Sequence, residues 1–226
     1  MFVPTIECIF IHIPKTAGMT IFETILKLDR PFGWFLGVDK KETLHEMTEG
    51  ATLLGHICYK DALTSKKMNR DYWKRSFKFT FVRNPYDRLV SLYEYHRISK
   101  VLKLTFDEFV HELYHSSIPE VGLYNVKNFA KNSVLYHKSV YGNQYNPMVD
   151  WIPDDIGFIG RLEFFEEDMN HLLCILGYEG KSVSFSRKNY STHASYLDYY
   201  KDPRTISYVN EMYDKDFKRF GYKRLM

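Results

Sequence analysis

The chain has 226 residues, enough for one large domain with its own hydrophobic core. Its apolar content of 45% and aromatic content of 17% exclude a disordered protein, and its net charge of only +3 argues against a uniformly basic nucleic-acid-binding surface. Three widely spaced cysteines without a C-x-x-C pair argue against a disulfide framework and a structural zinc site.

The first predicted elements are a strand, a short loop and a helix. The apolar run at residues 7–13 is typical of a strand buried on both faces, and His12 within it is expected to face the core. Residues 14–18 form the loop, and residues 19–28 carry apolar side chains at helical spacing. A strand, a tight loop with a lysine and a helix are a common arrangement for binding a phosphate-like anion.

The middle of the chain contains three further predicted strands, at residues 51–56, 78–83 and 156–161. Asn84 and Pro85 have the identities expected of an N-cap and a first helical residue, and the apolar residues that follow fall on one helix face. Residues 105–115 are predicted to be helical. The less regular region 99–151 is predicted to form a lobe or lid over the edge of the sheet.

Two helices are predicted near the C-terminus. Residues 163–176 begin with acidic side chains, which favour a helix N-terminus, and Gly177 can end this helix. Residues 203–220 form the last predicted helix, with Asp202 as its cap. The alternation of strands and helices predicts an α/β fold, a central and mainly parallel sheet with flanking helices, in a single domain over residues 1–226.

The segment Pro14-Lys15-Thr16-Ala17-Gly18-Met19-Thr20 carries the groups that an anion site needs. Small residues let the backbone approach an anion closely, and the amides at the helix start attract negative charge. Lys15 adds a mobile cation, and the hydroxyls of Thr16 and Thr20 add donors. The kinase pattern G-x-x-x-x-G-K-S/T is absent. By itself, the segment is also compatible with a plain strand-to-helix turn.

The stretch FTFVRNPYDRLVSLY, residues 79–93, contains a second candidate anion site. Arg83 is at the end of a predicted strand, at the carboxyl edge where open α/β sheets bind ligands, and its planar fork suits a phosphate. Ser91 lies about two helical turns beyond Asn84, on the same side of the helix. The alternatives are an ion pair between Arg83 and Asp87, and an ordinary helix-surface role for Ser91.

Together, IPKTAGMT and FTFVRNPYDRLVSLY resemble the two nucleotide-binding motifs of the sulfotransferases that use 3′-phosphoadenosine 5′-phosphosulfate (PAPS). The resemblance is greatest to the carbohydrate-type branch, which includes the heparan sulfate 2-O- and 6-O-sulfotransferases and bacterial relatives. It continues, in the family's order, in RLEFFEEDMNHLLCILGY, RKNYSTHASYLDYY and VNEMYDKDFKRFGY. It implies that the first loop is a P-loop-like 5′-phosphosulfate-binding loop and that no metal is needed.

The resemblance also implies roles for the residues of both motifs. Lys15 would be the catalytic cation at the bridging oxygen, and Arg83 and Ser91 would hold the 3′-phosphate. The 5′-phosphate would be held, partly through backbone amides, by the other loop residues Thr16, Ala17, Gly18, Met19 and Thr20. Met19 stands where relatives have Thr, so an amide contact survives there and a hydroxyl contact does not.

Transfer to an alcohol requires a base, because a neutral hydroxyl is a poor nucleophile. His56, in the segment LGHICY at the end of the second predicted strand, is the candidate for the base and for a contact with the acceptor. An imidazole titrates near neutral pH, and the position resembles the G-H segment that carries the base in related sulfotransferases. The alternative is a strand-end histidine satisfied by hydrogen bonds.

Two more regions take predicted roles from the resemblance. A loop that folds over the nucleotide in relatives could bring four side chains to the 3′-phosphate: Arg187, Lys188, Asn189 and Ser191. The alternative for this loop is a solvated basic segment. In residues 142–151, Tyr145 and Trp151 could stack on an acceptor sugar, whereas Met148 replaces the Gln of many relatives.

The sequence therefore predicts a sulfotransferase that moves a sulfuryl group from PAPS to a hydroxyl, of a saccharide or glycolipid, by direct in-line transfer. The product nucleotide would be 3′-phosphoadenosine 5′-phosphate (PAP). A non-catalytic PAPS- or PAP-binding protein and, as a further alternative, a P-loop-like nucleotide kinase remain open. Without a membrane-length apolar run or a leader-like N-terminus, a soluble, cytoplasmic protein with no nucleic-acid partner is expected.

Overall fold

The structure is a computed structural model that describes residues 2–3, 8–28, 59–64, 70–116, 144–178 and 195–226. The predicted strand at 51–56 lies outside these residues. The chain divides into two compact units: unit 1 comprises Met1–Arg83, Ser139–Gln144 and Asp150–Asn189, and unit 2 comprises Asn84–Lys138, Tyr145–Val149 and Tyr190–Met226. The expectation of a single domain with a lobe or lid at 99–151 stays a prediction.

Unit 1 contains a sheet whose described strands have the order β1-β2-β3-β4. They are β1 (Phe2–Val3), β2 (Cys8–Ile11), β3 (Phe77–Val82) and β4 (Phe158–Arg161). β2, β3 and β4 pair in parallel, and β1 pairs with β2 in the antiparallel direction. The predicted mainly parallel sheet is confirmed. β1 was not predicted, because a strand of two residues is too short to produce a periodic pattern.

Each predicted helix corresponds to a helical segment of the described residues, with differences in its bounds, whereas the short helices at Tyr59–Thr64, Arg70–Arg75 and Ile98–Val101 were not predicted. The helices of the described residues are α1 (Gly18–Leu28), α2 (Tyr59–Thr64), α3 (Arg70–Arg75), α4 (Pro85–Tyr95), α5 (Ile98–Val101), α6 (Phe106–Ser116), α7 (Phe165–Ile175), α8 (Pro203–Met212) and α9 (Asp214–Phe220). In the part of the chain that the structure describes, no helix has the length and apolar character needed to cross a bilayer.

The core of unit 1 lies where α1 and α7 pack on the strands. Phe10 of β2 and Phe79 of β3 are paired in register, and their rings stack with 5.2 Å between centroids. Ile21 and Ile25 of α1 and Leu172 of α7 are buried in the same cluster. This packing places the loop between β2 and α1 at the carboxyl end of β2, where parallel sheets position ligands.

Unit 2 is built from α4, α5, α6, α8 and α9 around an aromatic core. Both predicted N-caps are confirmed, since Oδ1 of Asn84 accepts a hydrogen bond from the amide of Tyr86 and Oδ1 of Asp202 accepts one from the amide of Arg204. The single helix predicted for 203–220 is wrong. The chain leaves helical geometry at the buried Tyr213, with φ of −109° and ψ of 22°, and α9 starts after it.

Candidate functional site

The loop after β2 has an unusual backbone. Lys15 and Ala17, on either side of Thr16, adopt left-handed conformations with φ of 68° and 64°. Such values are uncommon for residues with a Cβ, and they concentrate at ligand-binding loops. Left-handed residues within a tight turn direct successive amides to one side of the chain, which forms a concave anion-binding surface. α1 begins directly afterwards at Gly18.

The threonine side chains of this loop are turned inward. Thr16 is fully buried, and its hydroxyl donates to the carbonyl oxygen of Ile13 at 2.9 Å. Thr20, in the first turn of α1, is 7% exposed, and its carbonyl accepts from the hydroxyl of Thr24. The hydroxyl of Thr16 therefore stabilises the loop itself, so the donors that this loop can offer to a ligand are chiefly its amides and Lys15.

Two cations meet at the loop. Nη1 of Arg83, which follows β3, donates to the backbone carbonyl of Lys15 at 3.3 Å. Both side chains are partly buried. Burial, followed by the positive charge of Arg83, lowers the pKa of Lys15 from its ordinary value of 10.5 to about 8. A bound anion would favour the protonated form of Lys15 and offset the repulsion between the two cations.

The left-handed loop, the N-terminus of α1 and the pair Lys15–Arg83 together form a site suited to a multiply charged anion such as a phosphate or sulfate ester. A family model described as "Sulfotransferase family" matches residues 1–223. The chain belongs to the sulfotransferase family. No curated protein and no solved structure matches it.

The structure of this sulfotransferase brings Arg83 to Lys15 of the first motif. The other residues of that motif follow Lys15 in the loop and the first turn of α1: Thr16, Ala17, Gly18, Met19 and Thr20. Ser91 lies in unit 2, on α4, and is 1% exposed. Because the two units are described separately, its predicted contact with a 3′-phosphate stays a prediction. His56, Arg187, Lys188, Asn189 and Ser191 lie outside the described residues.

The two predicted acceptor-stacking residues of the sulfotransferase are buried. Tyr145, in unit 2, is 6% exposed and packs near the rings of Phe109 and His96. Trp151, in unit 1, is fully buried at the end of a 3-10 helix, Met148–Trp151. Stacking on a sugar requires an accessible ring face. Such a role would therefore need these rings to become exposed when an acceptor binds, and it stays a prediction.

His12 lies beside the anion loop, a position that the sequence did not predict. β2 ends at Ile11, so His12 lies after the strand and is only partly buried, contrary to the expected core position. Its ring stacks on that of Phe10, with 5.3 Å between centroids, and faces Gly18 at the start of α1. The available signal was its spacing, because positions 10 and 12 project from the same face of an extended chain.

The segment His111-Glu112-Leu113-Tyr114-His115 of α6 has the H-E-x-x-H spacing of helical zinc sites. The two imidazole rings are neighbours, with 4.3 Å between centroids. A zinc site of that type needs a third protein ligand. Within the described ranges, no group of three or more His, Cys, Asp or Glu side chains is arranged to hold a metal ion. The segment therefore carries no metal assignment.

Proposed function

We propose that this sulfotransferase uses PAPS as its donor and transfers the sulfuryl group to a hydroxyl of a saccharide or glycolipid. The observation that carries the proposal is the pair of partly buried cations at an amide-lined loop, Lys15 and Arg83. PAPS is anionic at both of its ends: the loop amides and Lys15 supply positive charge for the 5′-phosphosulfate, and Arg83, beside the loop, supplies a cation for the 3′-phosphate.

In this proposal PAPS supplies the sulfuryl group, and the protein orients it and handles the charge. The amides of residues 16–20 hold the 5′-phosphate, and Arg83 and Ser91 hold the 3′-phosphate. Lys15 stabilises the negative charge that develops on the bridging oxygen as the S–O bond to the phosphate breaks. His56 takes the proton of the acceptor hydroxyl as the new S–O bond forms, and PAP leaves.

Calorimetric titration with PAP tests the donor. We expect PAP to bind the wild type and the Arg83→Ala variant to bind it about 10- to 100-fold more weakly, because a charge-assisted hydrogen bond contributes roughly 1.5–3 kcal/mol. Arg75→Ala is the matched control, since it removes an exposed arginine of α3 in the same unit and should leave affinity unchanged. Adenosine 5′-phosphate should bind far more weakly than PAP.

Other outcomes of these experiments distinguish sulfuryl transfer from the two alternative functions. If a folded wild type does not bind PAP, the assignment of PAPS as the donor is wrong, and the hypothesis of a nucleotide kinase has to be considered again. If PAP binds but radiolabelled sulfate never moves from PAPS to any acceptor or to water, the non-catalytic binding protein is the better interpretation. Sulfated product formed in the presence of EDTA supports transfer and excludes a magnesium-dependent kinase.

A second prediction concerns protons and follows from the lowered pKa of Lys15. At pH 8 about half of the Lys15 side chains are neutral, and a bound anion raises their pKa, so PAP binding should take up about half a proton there. Affinity should fall between pH 7 and pH 9, as the protonated form is lost. Titrations in two buffers with different ionisation enthalpies measure the uptake.

Lys15→Arg provides the control for this proton linkage, because arginine stays charged throughout this pH range. The variant should bind PAP without proton uptake near pH 8. A wild type that binds PAP tightly at pH 8 with no buffer-dependent heat would contradict the assignment of Lys15 to the anion.

A further inference from the structure

The imidazole of His12 lies directly against the first residue of α1. A Cβ built on Gly18 would be 1.8 Å from Nε2 of His12 and 2.3 Å from Cδ2, far inside van der Waals contact. The φ of Gly18 is not in the left-handed range, so the backbone conformation does not require a glycine here. A glycine is required because the ring of His12 occupies the space that a side chain would take. The first turn of α1 rests on the histidine ring.

The ring of His12 is in turn held by the core of unit 1. It stacks on Phe10 at 5.3 Å with 21° between planes, and Phe10 stacks on Phe79 at 5.2 Å with 24°. Phe10 is 2% exposed and Phe79 is fully buried. Three flat rings thus extend from the centre of the sheet to the loop. Because close-packed interiors resist small displacements, this stack fixes the position of the last ring.

The position of the His12 ring affects both ends of the loop. The chain leaves β2 at Ile11, passes the left-handed residues Lys15 and Ala17, and enters α1 at Gly18. The Ile21 amide already bonds the Ala17 carbonyl, so the first turn of α1 moves with the loop. A ring that sets the separation between the end of β2 and Gly18 therefore also sets where the loop amides and the Lys15 side chain converge.

We propose that His12 is a positioning residue for the anion loop, acting through Gly18 on the first turn of α1. The identity of the ligand, PAP, rests on the proposed function. The positioning of the loop by His12 rests on the steric contact alone. It makes His12 and Gly18 one functional unit: removing the ring should loosen the loop, and adding a methyl group at Gly18 should displace it.

Three variants test the contact: His12→Ala, Gly18→Ala and the double variant. We expect His12→Ala and Gly18→Ala each to weaken PAP binding by roughly 10- to 100-fold, because small displacements of a preorganised site have effects of this size. In the double variant the new methyl group occupies space that the ring has left. It should bind PAP at least several-fold more tightly than Gly18→Ala alone, and its melting temperature should also recover.

Gly157→Ala is the matched control, because its Cβ would also meet an aromatic ring of unit 1, that of Phe77 at 2.4 Å, away from the loop. It should lower the melting temperature without changing PAP affinity. Hydrogen exchange provides a readout that needs no ligand: in His12→Ala, the peptide covering residues 15–20 should exchange faster, whereas α7 should be unchanged.

Two results overturn the proposal: a His12→Ala variant with wild-type exchange in residues 15–20 and wild-type PAP affinity, or a double variant whose defects are the sum of the single ones. If the wild type does not bind PAP, the proposed function fails separately. The exchange rates and the melting temperatures of the four proteins then still decide whether His12 positions the loop.

Discussion

Replacing Lys15 by alanine should lower the rate of sulfuryl transfer by about 100- to 1,000-fold, the cost of removing one group that stabilises charge in the transition state. The proposed role requires a fixed position, and Lys15 has a left-handed backbone and a carbonyl that accepts a hydrogen bond from the guanidinium of Arg83. The loss should be larger in kcat than in PAP affinity, because the charge on the bridging oxygen develops only as the S–O bond breaks.

The same variant should keep its fold. The pKa of Lys15 is lower in the folded chain than in the unfolded chain, so below about pH 8 the charged lysine opposes folding, and this opposition is relieved as pH rises towards 10.5. Alanine removes the charge at pH 7. It also has a Cβ, so its cost in the left-handed conformation is similar to that of lysine. The melting temperature of Lys15→Ala at pH 7 should therefore equal or exceed that of the wild type.

Steady-state assays with radiolabelled PAPS, paired with calorimetry, separate these effects. Lys74→Ala, which removes an exposed lysine of α3, should leave both unchanged. His56→Ala should reduce turnover while PAP affinity stays near that of the wild type, since a base acts on the acceptor and not on the nucleotide. Normal turnover by Lys15→Ala would remove this residue from the catalytic site.

Local physical chemistry explains which parts of the fold were predictable. The caps at Asn84 and Asp202 were found because an N-cap and the amide it bonds are two residues apart. The strand β2 was found because its buried apolar run is continuous, and β3 was found because it is rich in phenylalanine. The break at Tyr213 was missed, because no glycine or proline interrupts residues 204–220.

Some features of the candidate site were likewise predictable from the sequence, and others were not. The motif located Lys15 and Arg83, and a parallel arrangement of β2 and β3 accounts for their meeting at one edge of the sheet. The left-handed backbone at Lys15 was not predictable, since lysine has no preference for it. The lowered pKa depends on burial, and the proposed role of His12 depends on its ring filling the space of a side chain at Gly18, both of which exist only after packing.

Replacing Asp216 by alanine should have the largest effect on stability. Asp216, on α9 of unit 2, is fully buried, and its two carboxylate oxygens accept from the amides of Met148 and Val149 at 2.8 and 2.9 Å. Nearby, the buried Arg88 donates to the carbonyl of Asn146 at 3.0 Å. Segment 145–149 is thus fixed by residues distant in sequence.

Without the carboxylate of Asp216, two backbone amides lose their acceptors, each at a cost of roughly 1–3 kcal/mol, so the free energy of unfolding should fall by about 3–5 kcal/mol. Asp216→Asn keeps one oxygen and should lose about half as much. Asp214→Ala, two residues earlier, removes ion pairs to Lys218 and Arg224 at the surface and should lower the free energy of unfolding much less than Asp216→Ala does.

Urea unfolding of the three variants of α9 measures this order. Segment 145–149 lies within residues 142–151, the stretch that resembles the acceptor side of relatives, so Asp216→Asn also tests whether acceptor affinity depends on how rigidly this segment is held. Because Asp216 itself is buried, we expect this substitution to raise the acceptor KM only through the backbone of Met148 and Val149. Equal stability of Asp216→Ala and Asp214→Ala would mean that water satisfies these amides and that the buried carboxylate does not hold the segment.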